Sequence, residues 1–196
     1  MRPPSTPPSP LRPRLLWHTQ ATGWDFLGFE FIDGRTAHYT PASPDLPLII
    51  AALEELAQMP CPAIPLLDCA ARYNGYTRTP ELFTGDTLLH TDINPENTLI
   101  AGNHAHLVDW AWPTKGAAWV DPAVWAIRLI SAGHTAEQAE AWAARLPAWS
   151  AAPPASITAF AEASVRMWTQ IADQHLDAQW TKDMAASATA WVDHRR

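Results

Sequence analysis

The stretch LLHTDINPENTLI, residues 88–100, followed after a short gap by HLVDW, residues 106–110, decides how this chain is read. Together they set His90, Asp92, Asn97 and Asp109 in the pattern HxDxxxxN, then a turn, then an Asp on an apolar strand followed by Trp110. Thr98 to Ala101 and His106 to Asp109 are expected as two short strands joined at Gly102-Asn103-His104, because Gly and Asn tolerate positive φ. One loop would then supply both Asp92 and Asn97, and the hairpin would return Asp109 to the same place.

These residue types suit phosphoryl transfer, in which a protein orients a hydroxyl, holds Mg2+ on nucleotide phosphates and stabilises spread negative charge. A carboxylate at Asp92 can accept the substrate hydroxyl proton. The Asn97 amide oxygen and the Asp109 carboxylate are hard oxygen ligands of the kind Mg2+ takes. Two carboxylates about 5 Å apart repel by roughly 3 kcal/mol at an effective dielectric of about 20, so a pair without metal would be costly or would share a proton.

The rest of the composition narrows the class. At 196 residues and 21.6 kDa, with 47% hydrophobic and 17% charged residues, the chain suits one domain with a real core. A formal net charge of -7 argues against a phosphate-backbone binder, so no nucleic-acid partner is expected. Cys61 and Cys69 match neither a CxxC metal clip nor a disulfide framework, which points to a reducing, cytoplasmic setting. The start has Arg and Pro without an apolar core, unlike a secretory signal, and Arg128 interrupts the apolar AVWAIRLI run; no membrane segment is expected.

Along the chain, residues 1–14 hold six prolines and are expected as a mobile, disordered tail. Two apolar-aromatic runs predict a hairpin with strands near 15–20 and 24–32, the second ended by Gly34. SPDLPLIIAALEELAQM predicts a helix that buries Leu46, Ile49, Leu53 and Leu56, with Pro47 in its first turn. Residues 60–84, broken by prolines, read mainly as irregular connection. After the hairpin come helices: one opened by Asp121-Pro122 and stopped at Gly133, one with a Thr135-x-x-Gln138 capping box, one with Ile157, Phe160, Ser164, Trp168 and Ile171 on a single face, and one at the C-terminus.

HTDINPEN followed by LVDW resembles the catalytic loop and metal-binding segment of the aminoglycoside phosphotransferase and choline kinase-like families, relatives of the protein kinases. FLGFEFIDG resembles their last N-lobe strand running into the adenine-binding hinge, and WVDPAVW the Asp that opens a helix after the metal site. The resemblance spans roughly residues 15–196. It implies an α+β, protein-kinase-like fold: remnant N-lobe strands and hinge over 15–40, then a mainly helical C lobe over 41–196 that carries the catalytic hairpin.

The resemblance further implies Asp92 as catalytic base, with His90 as a buried support of the catalytic loop. Asn97 and Asp109 become Mg2+ ligands, and backbone groups of Glu30, Phe31 and Ile32 meet the adenine of ATP or another nucleoside triphosphate. Asp121 would brace the catalytic loop, although a plain helix cap explains it nearly as well. The implied reaction moves the ATP γ-phosphoryl group to the hydroxyl of a small-molecule acceptor.

Thr91 and Glu96 stand where these families often have glycine, which reduces the freedom of the loop backbone. The two lysines, Lys115 and Lys182, both follow the catalytic loop, and no GxGxxG-like turn precedes Leu15. The front of the ATP clamp is therefore missing from this sequence. A catalytically inactive, pseudokinase-like binding module and a truncated longer protein stand beside the active kinase, with a metal-dependent hydrolase using His90, Asp92 and Asp109 behind them. A metal site from His104, His106 and Asp109 is a weaker reading than a solvated His pair. Most tryptophans, including Trp125, Trp142 and Trp168, are expected in the core, with Trp110 or Trp112 lining the site. Strands without the rest of the N lobe would leave an unpaired edge, through which self-association is expected.

Overall fold

A computed structural model describes residues 11–196. The expected tail over residues 1–14 thus falls mostly outside the described residues. Leu11 is fully buried and its carbonyl accepts the Leu107 N–H at 2.7 Å, so the folded part starts ahead of Leu15. The chain is mixed α+β, its short strands all before residue 117 and most of its helical residues after it.

The first two strands, β1 (Leu15–Ala21) and β2 (Trp24–Phe29), form an antiparallel hairpin. Its turn, Thr22-Gly23, has positive φ at both residues, as a two-residue hairpin turn requires. β2 stops at Phe29 rather than near residue 32: the Glu30 N–H still reaches the Arg14 carbonyl at 2.9 Å, but the next residues have no strand partner. Gly34 therefore does not end that strand. It lies against β6, described below, where a Cβ would sit 2.8 Å from the Ile100 carbonyl oxygen. Trp17, Trp24, Phe26, Leu27 and Phe29 leave the hairpin apolar and exposed.

There follow β3 (Arg35–Thr36), α1 (Leu46–Gln58), β4 (Leu67–Asp68), α2 (Cys69–Tyr73), a 3-10 turn over Pro80–Phe83, β5 (Thr87–Leu89), β6 (Thr98–Ala101), β7 (His104–Leu107) and β8 (Thr114–Gly116). One antiparallel sheet has the order β3-β6-β7; another has the order β4-β8-β5, with β4 parallel and β5 antiparallel to β8. α1 buries Leu46, Ile49, Leu53 and Leu56 as its spacing predicts, with Pro47 in the first turn.

Two expectations fail here for local reasons. The segment 60–84 is not merely irregular: the Asp68 carboxylate accepts the Ala71 N–H at 2.8 Å and so caps α2, a helix too short to show a periodic pattern. β7 runs His104–Leu107, not His106 to Asp109, because the turn is only Gly102-Asn103 and Ala101 pairs with His104. Val108 and Asp109 lie beyond the strand, and Asp109 leaves the extended region with a φ of 56°.

The helical part comprises α3 (Val120–Ser131), α4 (Ala136–Ala143), α5 (Pro147–Ser150), α6 (Pro154–Gln174) and α7 (Gln179–His194). α3 ends at Gly133, whose φ of 101° closes the helix in the left-handed region. The Thr135–Gln138 capping box opens α4 with both reciprocal bonds present. Trp125 and Trp191 are fully buried, and Trp191 stacks on Trp149 with ring centroids 6.1 Å apart. A second aromatic cluster joins Tyr73 of α2, Phe83, Trp119 and Phe160 of α6, with Phe160 centroid distances of 5.0, 5.5 and 5.7 Å. This cluster ties α2 and the Pro80–Phe83 turn, which precede the hairpin, to the start of α3 and to α6, which follow it. Cys69 packs so closely on β8 that a Cβ at Gly116 would lie 2.6 Å from its own Cβ. Among the described residues no helix is long and apolar enough to cross a membrane.

β3 is tied to α1 by a charged contact. The buried Asp45 carboxylate accepts both Arg35 Nη atoms, at 2.6 and 2.7 Å, and the His38 N–H at 2.8 Å. The Arg35 bonds, more than the His38 amide, hold that carboxyl below the usual carboxylate range.

Phe160→Ala removes the centre of the aromatic cluster and should lower stability by about 3–5 kcal/mol in urea unfolding; a loss under about 1 kcal/mol would mean the cluster does not couple the two parts. Asp45 contributes stability above its unfolded-state value near about 4 and loses it as pH falls through the lower folded-state value. The stability gap between wild type and Asp45→Asn at neutral pH should therefore close on acidification below about pH 4, as followed by unfolding curves across pH.

Candidate active site

The loop between β5 and β6 is built around a carboxylate that belongs to neither strand. Asp121, buried in the first turn of α3, accepts the His90 N–H on Oδ2 and the Thr91 N–H on Oδ1, both at 2.8 Å. Trp119, not Asp121, occupies the N-cap position, so the carboxylate braces the loop instead of capping its own helix. Burial pushes the Asp121 carboxyl up, opposed by those two N–H groups and by the nearby Arg72.

Thr91 sits at φ 63°, a conformation that glycine would take without strain. Its side chain supplies compensation: Oγ1 donates to the Trp112 carbonyl at 3.2 Å and accepts Arg72 Nη1 at 2.6 Å. His90 is 1% exposed and turned toward the hairpin. Its Nε2 donates to the Val108 carbonyl at 2.9 Å and its Nδ1 accepts the Asp92 N–H at 3.3 Å, which fixes the neutral tautomer with the proton on Nε2. The edge of Trp110 covers the ring at 4.6 Å. With both nitrogens engaged, His90 holds the loop and offers no group to a substrate.

Asp92 is the opposite case, a carboxylate held in place yet partly open. Oδ1 accepts Asn94 Nδ2 and Arg128 Nη2, each at 3.0 Å, and Oδ2 accepts Asn97 Nδ2 at 3.0 Å. Asn97 is itself pinned, its N–H on Asn94 Oδ1 at 2.8 Å and its Nδ2 also on the Asp92 carbonyl at 3.1 Å. Because the amide nitrogen faces Asp92, the Asn97 Oδ1 has no hydrogen-bond donor among the described residues. The Val108 N–H on the Asn97 carbonyl, at 2.9 Å, keeps the hairpin closed past its last pair and sets exposed Asp109 beside the loop at φ 56°.

Of the residues singled out in the sequence, His90, Asp92, Asn97 and Asp109 thus gather at the open end of one hairpin. Glu30, Phe31 and Ile32 lie apart, between β2 and β3, with Phe31 exposed and Glu30 3.6 Å from Arg14. Among the described residues no group of three or more His, Cys, Asp and Glu could hold a metal. The His104–His106–Asp109 site and the hydrolase triad His90–Asp92–Asp109 are therefore not formed; His90 faces inward and His104 is exposed. Asn97 Oδ1 and the exposed Asp109 carboxylate are each oxygens of the kind Mg2+ takes, and two such oxygens suit the ion only when it arrives on nucleotide phosphates and keeps water.

Asp92 opens into a cleft of about 750 Å3 walled by Trp112, Arg128, Trp168 and Trp180. Trp168 was expected in the core, but it faces this cleft, edge-on to Trp180 at 5.8 Å and under the Arg128 guanidinium at 5.4 Å. Arg128 is the residue that sequence reasoning missed. A lone cation inside the apolar AVWAIRLI run was the available signal, since a mostly buried guanidinium requires a carboxylate nearby.

No family model matches the chain, and no curated protein matches it.

Asp121→Ala strands two loop N–H groups and should cost about 2–5 kcal/mol in urea unfolding. A change within about 0.5 kcal/mol would mean that the loop holds itself without the brace.

Proposed function

We propose that this chain is a kinase-like phosphotransferase of the aminoglycoside phosphotransferase type, moving the γ-phosphoryl group of ATP or another nucleoside triphosphate to the hydroxyl of a small molecule. The observation that carries the reading is the Asn97–Asp92 bridge. It orients one Asp92 oxygen by the same amide whose other end, Oδ1, is left without a donor, as a metal ligand would need. A loop that only needed to fold would have no reason to keep a fixed, half-open carboxylate at the mouth of an aromatic cleft.

In this reading an acceptor hydroxyl enters the cleft and donates to Asp92, which takes its proton as the oxygen attacks. General-base assistance of this kind is worth about 10²–10⁴ in rate. Asn97 and Asp109 would hold Mg2+, which when bound neutralises charge on the nucleotide phosphates. Asn94, Asn97 and Arg128 keep the carboxylate from rotating, so its lone pair stays aimed at the entering hydroxyl. His90 and Asp121 hold the backbone that carries all of these.

A second reading, a pseudokinase-like binding module, draws on the lysines. Lys115 pairs with Asp86 at 2.6 Å and Lys182 donates to the Leu176 carbonyl at 2.7 Å. Neither lines the cleft, so among the described residues no lysine is placed to hold nucleotide phosphates.

Calorimetric titration with ATP, with and without Mg2+, separates the two when paired with turnover in an acceptor screen. The phosphotransferase reading expects Mg2+-dependent binding that Asp109→Asn abolishes, and turnover that Asp92→Asn lowers by about 10²–10⁴ while nucleotide still binds. No ATP binding under either condition leaves the binding module; unchanged turnover in Asp92→Asn removes the proposed base.

A further inference from the structure

The cleft contains polar groups for which the reaction above has no use. Ser164 of α6 is fully buried and lines the cleft, yet its hydroxyl has no hydrogen-bond partner. The Arg128 Nε is likewise buried and unpartnered. Arg72, at the end of α2, places Nη1 on the hydroxyls of Thr91 and Thr114 at 2.6 and 2.7 Å, and its guanidinium lies 5.5 Å from the Trp112 ring centroid. Among the described residues Arg72 has no carboxylate partner.

Its Nη2–Nε edge, the side of a guanidinium that grips an oxyanion through two parallel N–H bonds, is therefore left open. The remaining charges of the cleft are answered. Asp92 has Arg128 at 3.0 Å, and Asp183 and Glu96 are exposed to water that screens them. Arg72 feels the charge of the buried Asp121, but both oxygens of that carboxylate serve the His90 and Thr91 N–H groups, so the half-buried guanidinium lines the cavity without an ion pair of its own, an arrangement that favours an anionic ligand.

The geometry points to an acceptor that carries an oxyanion as well as a hydroxyl: the open edge of Arg72 takes a carboxylate or phosphate group while the hydroxyl faces Asp92. Trp112, its ring centroid 5.5 Å from the Arg72 guanidinium, favours the cation by its π face, and Trp168 and Trp180 enclose the body of the molecule. The Ser164 hydroxyl and the Arg128 Nε–H become further donors to it. The inference rests on the phosphotransferase reading for the role of Asp92 only; the oxyanion site itself stands on Arg72, Ser164 and the cleft.

The test is a tryptophan-fluorescence titration of the whole chain, without ATP or Mg2+, at constant ionic strength. The probes are D-glycerate, 3-hydroxybutyrate and glycerol 3-phosphate, with glycerol and ethanolamine as neutral and cationic counterparts. At least one anion should bind saturably and at least about tenfold more tightly than glycerol or ethanolamine. Arg72→Gln should weaken that binding about tenfold or more, and Arg72→Lys, which keeps the charge but not the fork, should fall between. Preference for the hydroxycarboxylates assigns a carboxylate; preference for glycerol 3-phosphate assigns a phosphate. Silence from all three anions, equal binding of glycerol or ethanolamine, or full binding by a folded Arg72→Gln overturns the site. The wild-type comparison decides the matter even where Arg72→Gln does not fold. Anion binding without phosphoryl transfer in the acceptor screen would keep the oxyanion site and remove the phosphotransferase reading, whereas transfer confined to amines or neutral polyols would do the reverse.

Discussion

The candidate site depends on one buried carboxylate. Asp121 is supplied by a helix, but both of its oxygens are used by the backbone of a loop thirty residues earlier, at 2.8 Å each. A loop N–H group buried without a partner costs about 1–3 kcal/mol, so the bond to Asp121 is what allows residues 90 and 91 to leave the strand while remaining covered. Everything downstream follows from that geometry. Thr91 can hold its left-handed φ, His90 can turn its ring under the hairpin, and Asp92 is delivered to the cleft with its carboxylate outward. The cost is local too: burial works against the charge on Asp121 itself, and the two amides and Arg72 oppose that penalty.

What could be read from the sequence divides along physical lines. α1, α3, α4 and α6 are long enough for apolar periodicity and caps to speak, and each appears where that pattern places it, to within a few residues. The hairpin of β6 and β7 was legible from Gly102-Asn103, but its register was not: a two-residue turn and a three-residue turn fit the same letters, and only cross-strand pairing decides between them. α2, β3, β4 and β8 were invisible because two to five residues carry no period; they exist through distant partners, as Arg35–Thr36 does through Leu99 and Ile100.

The site shows the same division. His90, Asp92, Asn97 and Asp109 could be grouped from spacing, since a loop and a hairpin bring them together over a short separation. Trp112, beside Asp109 in the chain, was within reach of the same reading, but Arg128, Arg72, Trp168 and Trp180 were not, because they come from four different helices, and helix faces do not announce which neighbour they will meet. Trp168 illustrates the limit. Its place on the face of Phe160 and Ser164 was right, but that face is part core and part cavity wall, and hydrophobic spacing cannot tell a packed partner from an enclosed space.

The contact between Cys69 and Gly116 has a practical corollary. Burial pushes the Cys69 thiol up to about 12 and closes it off from solvent, while Cys61 stays half-buried in the connection before β4. Thiolate character and access govern alkylation and oxidation, so the two sulfurs differ in kind: one is a small packing residue and the other an addressable handle. Under mild conditions the native protein is thus a single-thiol molecule, ready to carry one dye or spin label at a site outside the cleft without any substitution.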